Sequence, residues 1–362
     1  MSTTAASNTN DNEPLPPNND GPQSPSSFFT LPKDIVLNIL ARVTRHKHPI
    51  LSCVSKNIRS LVRSSELHKT RSLQGKDDSF YVCFRDFYSP FLFFHWFTLD
   101  QNRLVSIPFP SPPEPNSSAL MIGHEIYLVG GCLNNLCRSM WILDSRSGKL
   151  RQGPNRLVAR HFPAVGVVDK KIYIFGGYQE EHKEVQAEVF DTKTESWDVA
   201  PNPNVDLKCL SMSVVNRSLD GKIYVRNTAG QVIVYDPSDG KCEKIDIQMR
   251  ATDVCVIDNV LYIWQYHGGL KWYDSTMIQW RVVKGLNLGY ISSSRIVLAE
   301  SNGKLVFLQE CSTKKKTEIC CAMVALERGP NALGIVGKVE WSDRILSVPL
   351  GYQIVHCVGR TD

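Results

Sequence analysis

Two glycine doublets, a few histidines, eleven cysteines and a lysine run are the residues of this chain whose types could do chemistry. Gly130-Gly131 and Gly176-Gly177 could cradle a phosphate, but a phosphate loop leads into a helix and places Lys and Ser or Thr after its glycines. Both doublets instead leave one apolar strand pattern and enter another, so their expected work is a tight backbone bend. His46-Lys47-His48 and His267 have no third His, Cys or carboxylate at a metal-binding spacing. The cysteines are odd in number and form no CxxC pair; Cys132 and Cys137 stand five apart, and Cys320 adjoins Cys321. Free, mostly buried thiols in a reducing compartment are expected. There is no GxSxG, no HExxH and no glycosidase-like pair of carboxylates. Lys314-Lys315-Lys316 reads as the exposed tip of a hairpin. Neither metal nor cofactor is expected, and binding is favoured over catalysis.

The elements that carry these residues repeat. Phe80-Tyr81-Val82, Ile126-Tyr127-Leu128, Ile172-Tyr173-Ile174, Ile223-Tyr224-Val225, Leu261-Tyr262-Ile263 and Leu305-Val306-Phe307 begin at intervals of 46, 46, 51, 38 and 44 residues. A second landmark keeps phase with the first. It is an apolar strand closing on Asp, at Leu99-Asp100, Leu143-Asp144, Phe190-Asp191, Tyr235-Asp236 and Tyr273-Asp274, followed six residues later by Trp197 in the third unit and Trp280 in the fifth. A unit of this size cannot cover both faces of its own sheet, and arranging the units about an axis solves that with few exposed edges. Repeats of this length predict a β-propeller over residues 76–362. Six starts predict about six blades, with a seventh built from the C-terminal strands, or a short fifth, left open. Gly268-Gly269 falls too late to match the doublets and reads as a hairpin turn. Phe87 to Leu99, broken by Pro90 and His95, is too short to span a membrane and reads as buried strand.

Residues 30–75 have a different period. Thr30 is placed to cap a helix on which Ile35, Val36, Ile39, Leu40 and Val43 recur at helical spacing, with Pro32 near its first turn. Ile50, Leu51, Val54, Ile58, Leu61 and Val62 continue the pattern, giving two or three short helices. So small a unit leaves apolar stripes that need cover from a partner or a neighbouring domain. Residues 1–29, rich in Ser, Asn and Pro, predict a disordered tail without a secretory signal.

The net charge of +5 is unevenly distributed: −3 in the tail, +7 in residues 31–75 and +1 in the remainder. Stacking aromatics and nucleic-acid reading motifs are absent, so the basic segment points to an acidic protein partner rather than to nucleic acid. No membrane association is expected, and the protein is expected in the cytoplasm, the nucleus or both.

Leu31-Pro32, Ile35, Ile39-Leu40-Ala41-Arg42-Val43, Leu51, Val54-Ser55-Lys56, Arg59, Leu61 and Leu67 together resemble an F-box, with Ile58 where plant members commonly carry an aromatic residue. The glycine doublets, the Tyr or Phe before Asp and the later Trp resemble kelch repeats, most closely in the second and third units. Lys338-Val339-Glu340-Trp341-Ser342-Asp343 is similar to the closing stretch of plant F-box/kelch-repeat proteins. This resemblance implies a substrate receptor of a Skp-cullin-F-box ubiquitin ligase. It implies that Leu31, Pro32, Ile35, Ile39, Leu40, Val54 and Leu61 dock a Skp-type adaptor, and through it a cullin, while the propeller holds a target protein. Positions about twelve residues before each Ile-Tyr strand would line the propeller mouth: Glu114, Arg160, Ser211, Met249 with Arg250, and Ser293. Arg160 suits a carboxylate of the target, or it bonds nearby backbone. A kelch scaffold without ligase coupling and a propeller enzyme are the rival readings.

Overall fold

The structure is a computed structural model that describes residues 1, 28–44, 47–74, 80–89, 93–100, 102–113, 118–130, 138–160, 163–177, 185–205, 212–213, 218–227, 229–245, 251–288, 295–329 and 334–359. The expected tail falls outside them from residue 2 to residue 27, as do Gly131, Glu114, Ser211, Met249, Arg250 and Ser293.

A single 3-10 turn, Phe28–Thr30, precedes four helices: α1 (Lys33–Arg42), α2 (His48–Val54), α3 (Lys56–Val62) and α4 (Ser65–Leu73). Thr30 does not cap α1. Pro32 is the N-cap, at φ −52° and ψ 143°, and its carbonyl accepts the Val36 N–H at 3.1 Å without help from any side chain. The proline ring disfavours helical backbone at Leu31, so the helix starts after Pro32 and Thr30 stands two residues before the N-cap. The apolar run from Ile50 to Val62 is two helices rather than one, because Ser55 turns extended at φ −157° and caps α3, its hydroxyl accepting the Ile58 N–H at 3.1 Å. Phe28 packs on the helical core, so the unit begins slightly before residue 30.

The strands are β1 (Phe80–Asp86), β2 (Phe94–Asp100), β3 (Arg103–Ile107), β4 (Ser118–Ile122), β5 (Glu125–Val129), β6 (Met140–Asp144), β7 (Lys149–Gln152), β8 (Ala164–Val168), β9 (Lys171–Phe175), β10 (Ala187–Asp191), β11 (Ser196–Val199), β12 (Met212–Ser213), β13 (Ile223–Asn227), β14 (Val232–Tyr235), β15 (Cys242–Ile245), β16 (Asp253–Ile257), β17 (Val260–Gln265), β18 (Gly269–Asp274), β19 (Gln279–Val282), β20 (Arg295–Ser301), β21 (Lys304–Ser312), β22 (Lys316–Arg328), β23 (Ile335–Pro349) and β24 (Tyr352–Gly359). They form six antiparallel sheets of four. Blades 2 to 6 take consecutive strands from β4 to β23, and blade 1 is ordered β24-β1-β2-β3. The C-terminal strand therefore completes the first blade and builds no seventh, and the fifth blade has its full four strands. Inner strands lie against their neighbours from blade to blade, and β20 against β24 closes the ring.

Alternation along each second strand explains the stability of the ring. On β1, Phe80, Val82 and Phe84 pack toward blade 6, whereas Tyr81 and Cys83 pack toward blade 2. On β5, Ile126 and Leu128 face blade 1, and Tyr127 and Val129 face blade 3. Each pair of adjacent blades shares one such apolar core, giving six in all. No blade could bury its faces alone.

Both sequence landmarks have physical causes here. The Ile-Tyr runs are the second strands, buried on both faces. The closing Asp makes an Asx turn into the fourth strand: Asp144 Oδ1 accepts the Arg146 N–H at 2.7 Å, Asp191 that of Lys193 at 2.8 Å, Asp236 that of Ser238 at 3.0 Å and Asp274 that of Thr276 at 3.1 Å. Gly268 closes a turn by donating to the Gln265 carbonyl, and Lys314-Lys315 tips the β21–β22 hairpin, with the Thr313 N–H on the Lys316 carbonyl at 2.8 Å. The Phe87–Leu99 reading is corrected. β2 begins at Phe94, while Phe87, Tyr88 and Phe93, described in the stretch before it, are exposed. The described cysteines are free thiols; only Cys53 is exposed.

Candidate functional site

Two surfaces stand out, one on the helices and one on the propeller. The helical unit is held from within by Val36, Leu37, Leu40, Ala41, Ile58, Val62 and Leu67. Arg71, buried on α4, donates to the carbonyls of Ala41 at 2.9 Å and Val43 at 2.6 Å, satisfying the C-terminal end of α1. Arg59 Nε donates to the Ser52 carbonyl at 2.9 Å and ties α3 to α2. These pins fix the angle of a second, outward face.

The apolar residues of α1 divide between the two faces. Val36 and Leu40 turn inward, but Ile35 and Ile39 lie on the other side, and with Leu31 just before the helix they recur four apart and are 42%, 41% and 41% exposed. Ile50 and Val54 of α2 are likewise 70% and 65% exposed, and Pro32 is exposed too. Of the residues implied by the resemblance, Leu31, Pro32, Ile35, Ile39 and Val54 are on the surface, Leu61 is half-buried against the core, and Leu40 is buried within it. A small unit with one apolar face packed and another in water is built to be covered. Ile58 is buried in the core, so the aliphatic side chain fills the place that the resemblance gives to an aromatic.

In the propeller the antiparallel order puts the connections between second and third strands, and those between blades, on one face of the ring. Arg160 precedes β8 in such a connection but is 1% exposed. Its Nε meets Glu188 Oε1 at 3.3 Å, one terminal nitrogen donates to the Gly176 carbonyl at 3.1 Å, and the other to Val185 at 2.8 Å. Glu188, also buried, accepts the Leu157 N–H at 2.8 Å. Burial pushes the guanidinium down, opposed by the Glu188 charge. The fork of Arg160 is thus engaged within blade 3 and holds the backbone of the second doublet, where Gly176 and Gly177 take φ values of 62° and 76° that favour glycine. Gly130, at φ 125°, ends the matching strand of blade 2. Trp197 Nε1 donates to Pro154 at 3.0 Å and the ring packs on Phe190, locking blade 3 to blade 2; Trp280 packs on Tyr273 at the interface of blades 4 and 5.

Sequence reasoning noted Arg71 only as part of the Arg71-Ser72 pair in the family resemblance, and it passed over Glu188 and a set of ionisable residues on the inner strands. Asp253 opens the inner strand of blade 5, Arg295 that of blade 6, and His356 lies on that of blade 1. Burial pushes the Asp253 and Glu310 carboxyls up, and it pushes His356 down to about 3, assisted by the Arg295 charge. The available signal was the charged residue that opens each of β16 and β20, Asp253 and Arg295. Among the described residues no group of His, Cys, Asp and Glu is arranged to hold a metal ion, and no helix is long and apolar enough to cross a membrane.

Comparison with known proteins agrees with both modules. A family model described as FKB95, Kelch-repeats domain, matches residues 96–346, and an F-box domain model matches residues 28–70. Three proteins named F-box/kelch-repeat protein from Arabidopsis thaliana are 53%, 41% and 40% identical, covering 94%, 96% and 93% of this chain and 98%, 98% and 94% of their own lengths. With four helices where the F-box model matches, a six-bladed ring where the kelch model matches, and likeness running through both, the chain belongs to the F-box/kelch-repeat proteins.

Proposed function

We propose that this protein is the target-selecting subunit of a Skp-cullin-F-box ubiquitin ligase, non-catalytic itself. The helical face of Leu31, Pro32, Ile35, Ile39 and Val54 docks a Skp-type adaptor, and Leu40 and Leu61 support that face from beneath. The propeller presents a target for ubiquitin transfer carried out by other subunits. The supporting observation is the division of α1 into a packed stripe and an equally apolar exposed stripe. A helix that merely capped the propeller would need only the first.

Co-purification of the full chain with a Skp-type adaptor tests this. Replacing Leu31 and Pro32 with Ala is expected to abolish capture while the strand signal in circular dichroism persists. Unchanged capture by the double variant would count against the docking role of Leu31 and Pro32, and no capture by the unsubstituted chain would favour the rival reading, a kelch scaffold uncoupled from a ligase.

A further inference from the structure

The hairpin of β21 and β22 in blade 6 carries two thiols on one face. Cys311 stands opposite Glu318 and Cys320 opposite Gln309, so the two cysteines are diagonal neighbours in the antiparallel register, with their side chains on the same side of the sheet. Each is half-buried, and the two thiols share a hydrogen bond. Ile319 and Cys321, on the opposite face, are sealed in the core shared with blade 1. Cys83, Cys242 and Cys255 are buried as well, where a thiol is inert.

The surroundings of the pair suit thiol chemistry. Arg344 is the register partner of Cys320 on β23, and Arg344 and Lys316 hold Glu318 at 2.9 and 2.8 Å, so two cations and one carboxylate border the sulfurs. A half-exposed thiol in a cationic setting is the reactive kind. Burial, and then the Cys311 thiol, push Cys320 up to about 11, against the pull of the Arg344 charge. Cys320 therefore rests as a thiol in reach of a second sulfur.

The sheet also bears on the kind of bond the pair can make. Diagonal neighbours lie about 7–8 Å apart, whereas a relaxed disulfide joins Cα atoms about 4.4–6.8 Å apart. The register between β22 and β23 slips between Ile319 and Cys320, and a bulge sharpens local twist, which draws one diagonal together. A bond between these sulfurs thus closes under tension, and tension makes a disulfide easy to reduce.

We propose that Cys311 and Cys320 are a peroxide-responsive dithiol that closes into a reversible cross-strand disulfide. A thiolate of the pair attacks one oxygen of hydrogen peroxide and breaks the O–O bond, giving a sulfenic acid and a hydroxide that takes up the proton released by the thiol and leaves as water. The second thiol attacks the sulfenic sulfur and displaces the other oxygen as water. Two thiols and one peroxide give one disulfide and two waters; sulfur is oxidised and peroxide reduced. The bridge ties the strands just beneath the turn that Thr313 and Lys316 close at 2.8 Å, so it stiffens the hairpin that carries Lys314 and Lys315 at its tip.

Peroxide treatment of the reduced full chain, followed by alkylation and digestion without reductant for mass spectrometry, tests this. The expected result is a cross-link between the peptides of Cys311 and Cys320 with loss of both thiols in most chains. Cys320→Ser should abolish the cross-link, Cys321→Ser should keep it, and excess reduced glutathione should return both thiols. Cysteines oxidised or capped singly without a cross-link, a cross-link that survives Cys320→Ser, or a bridge that excess glutathione leaves intact would each overturn the proposal.

Discussion

Arg160 and Glu188 form an ion pair with both side chains buried in blade 3, 3.3 Å apart, and each also bonds backbone of its own blade. Removing one partner leaves the other charge in low dielectric without compensation, which costs about 3–5 kcal/mol. Arg160→Ala is therefore expected to lower the stability of the propeller by that order in chemical denaturation, and Glu188→Ala to do the same. The double variant should cost much less than the two losses added. A loss below about 1 kcal/mol for Arg160→Ala would make the pair incidental.

The two faces of α1 predict opposite phenotypes. Ile35→Ala and Ile39→Ala remove exposed side chains, so stability should change by no more than about 0.5 kcal/mol while affinity for a Skp-type adaptor falls about tenfold or more. Leu40→Ala opens a cavity in the helical core and should cost about 2–5 kcal/mol of stability in that unit. Titration calorimetry beside thermal melts separates the effects. Equal behaviour of all three variants would mean that α1 has no dedicated outer face.

The fold was legible where sequence and local physics coincide. The Ile-Tyr runs had to be strands buried on both faces, and the Asp closing each third strand had to turn the chain, so blade phase could be counted from them. Residue type could not reveal direction. Ile35 and Leu40 are equally apolar, and only the packing of Ala41 and Leu67 decides which of them faces inward. Arg160 illustrates the same limit, because its partner Glu188 is 28 residues away and meets it only when β10 folds beside β9. Arg295 and Gln353, on either side of the seam between blades 6 and 1, are separated by 58 residues and are joined by ring closure alone.

Close approach of the inner strand of blade 3 to the second strand of blade 4 predicts a sharp response at Gly166 on β8. A methyl group there would overlap Ile223 of the next blade, a fully packed side chain with no room to withdraw. Gly166→Ala should destabilise the propeller by about 1–3 kcal/mol through overpacking. Gly334→Ala, where nothing lies within 4 Å of the added atom, serves as the control and should be near neutral. If both substitutions are tolerated equally, blades 3 and 4 are not in the close contact described.

Acid sensitivity should trace to His356. Its Nε2 is buried without a hydrogen-bond partner among the described residues, its ring packs against Phe94 and Trp96, and burial with the Arg295 charge pushes it from 6.5 down to about 3. The folded state therefore keeps this imidazole neutral while the unfolded chain takes up a proton below about pH 6.5. Its contribution is fully present above that value and is lost as pH falls toward 3, at about 1.4 kcal/mol per unit. Asp253 and Glu310, pushed up by burial, act in the opposite sense, stabilising most below the ordinary carboxylate range and less as pH rises through their folded values. Both groups remain in a His356→Phe variant, so their effect cancels when the two proteins are compared. Denaturation at pH 7 and pH 5 should show the unsubstituted protein losing about 2 kcal/mol more than the variant over that interval. Parallel stability curves would mean that the ring is protonated in the folded state at a value close to that of the unfolded chain, and the closed aromatic environment about blade 1 would have to be abandoned.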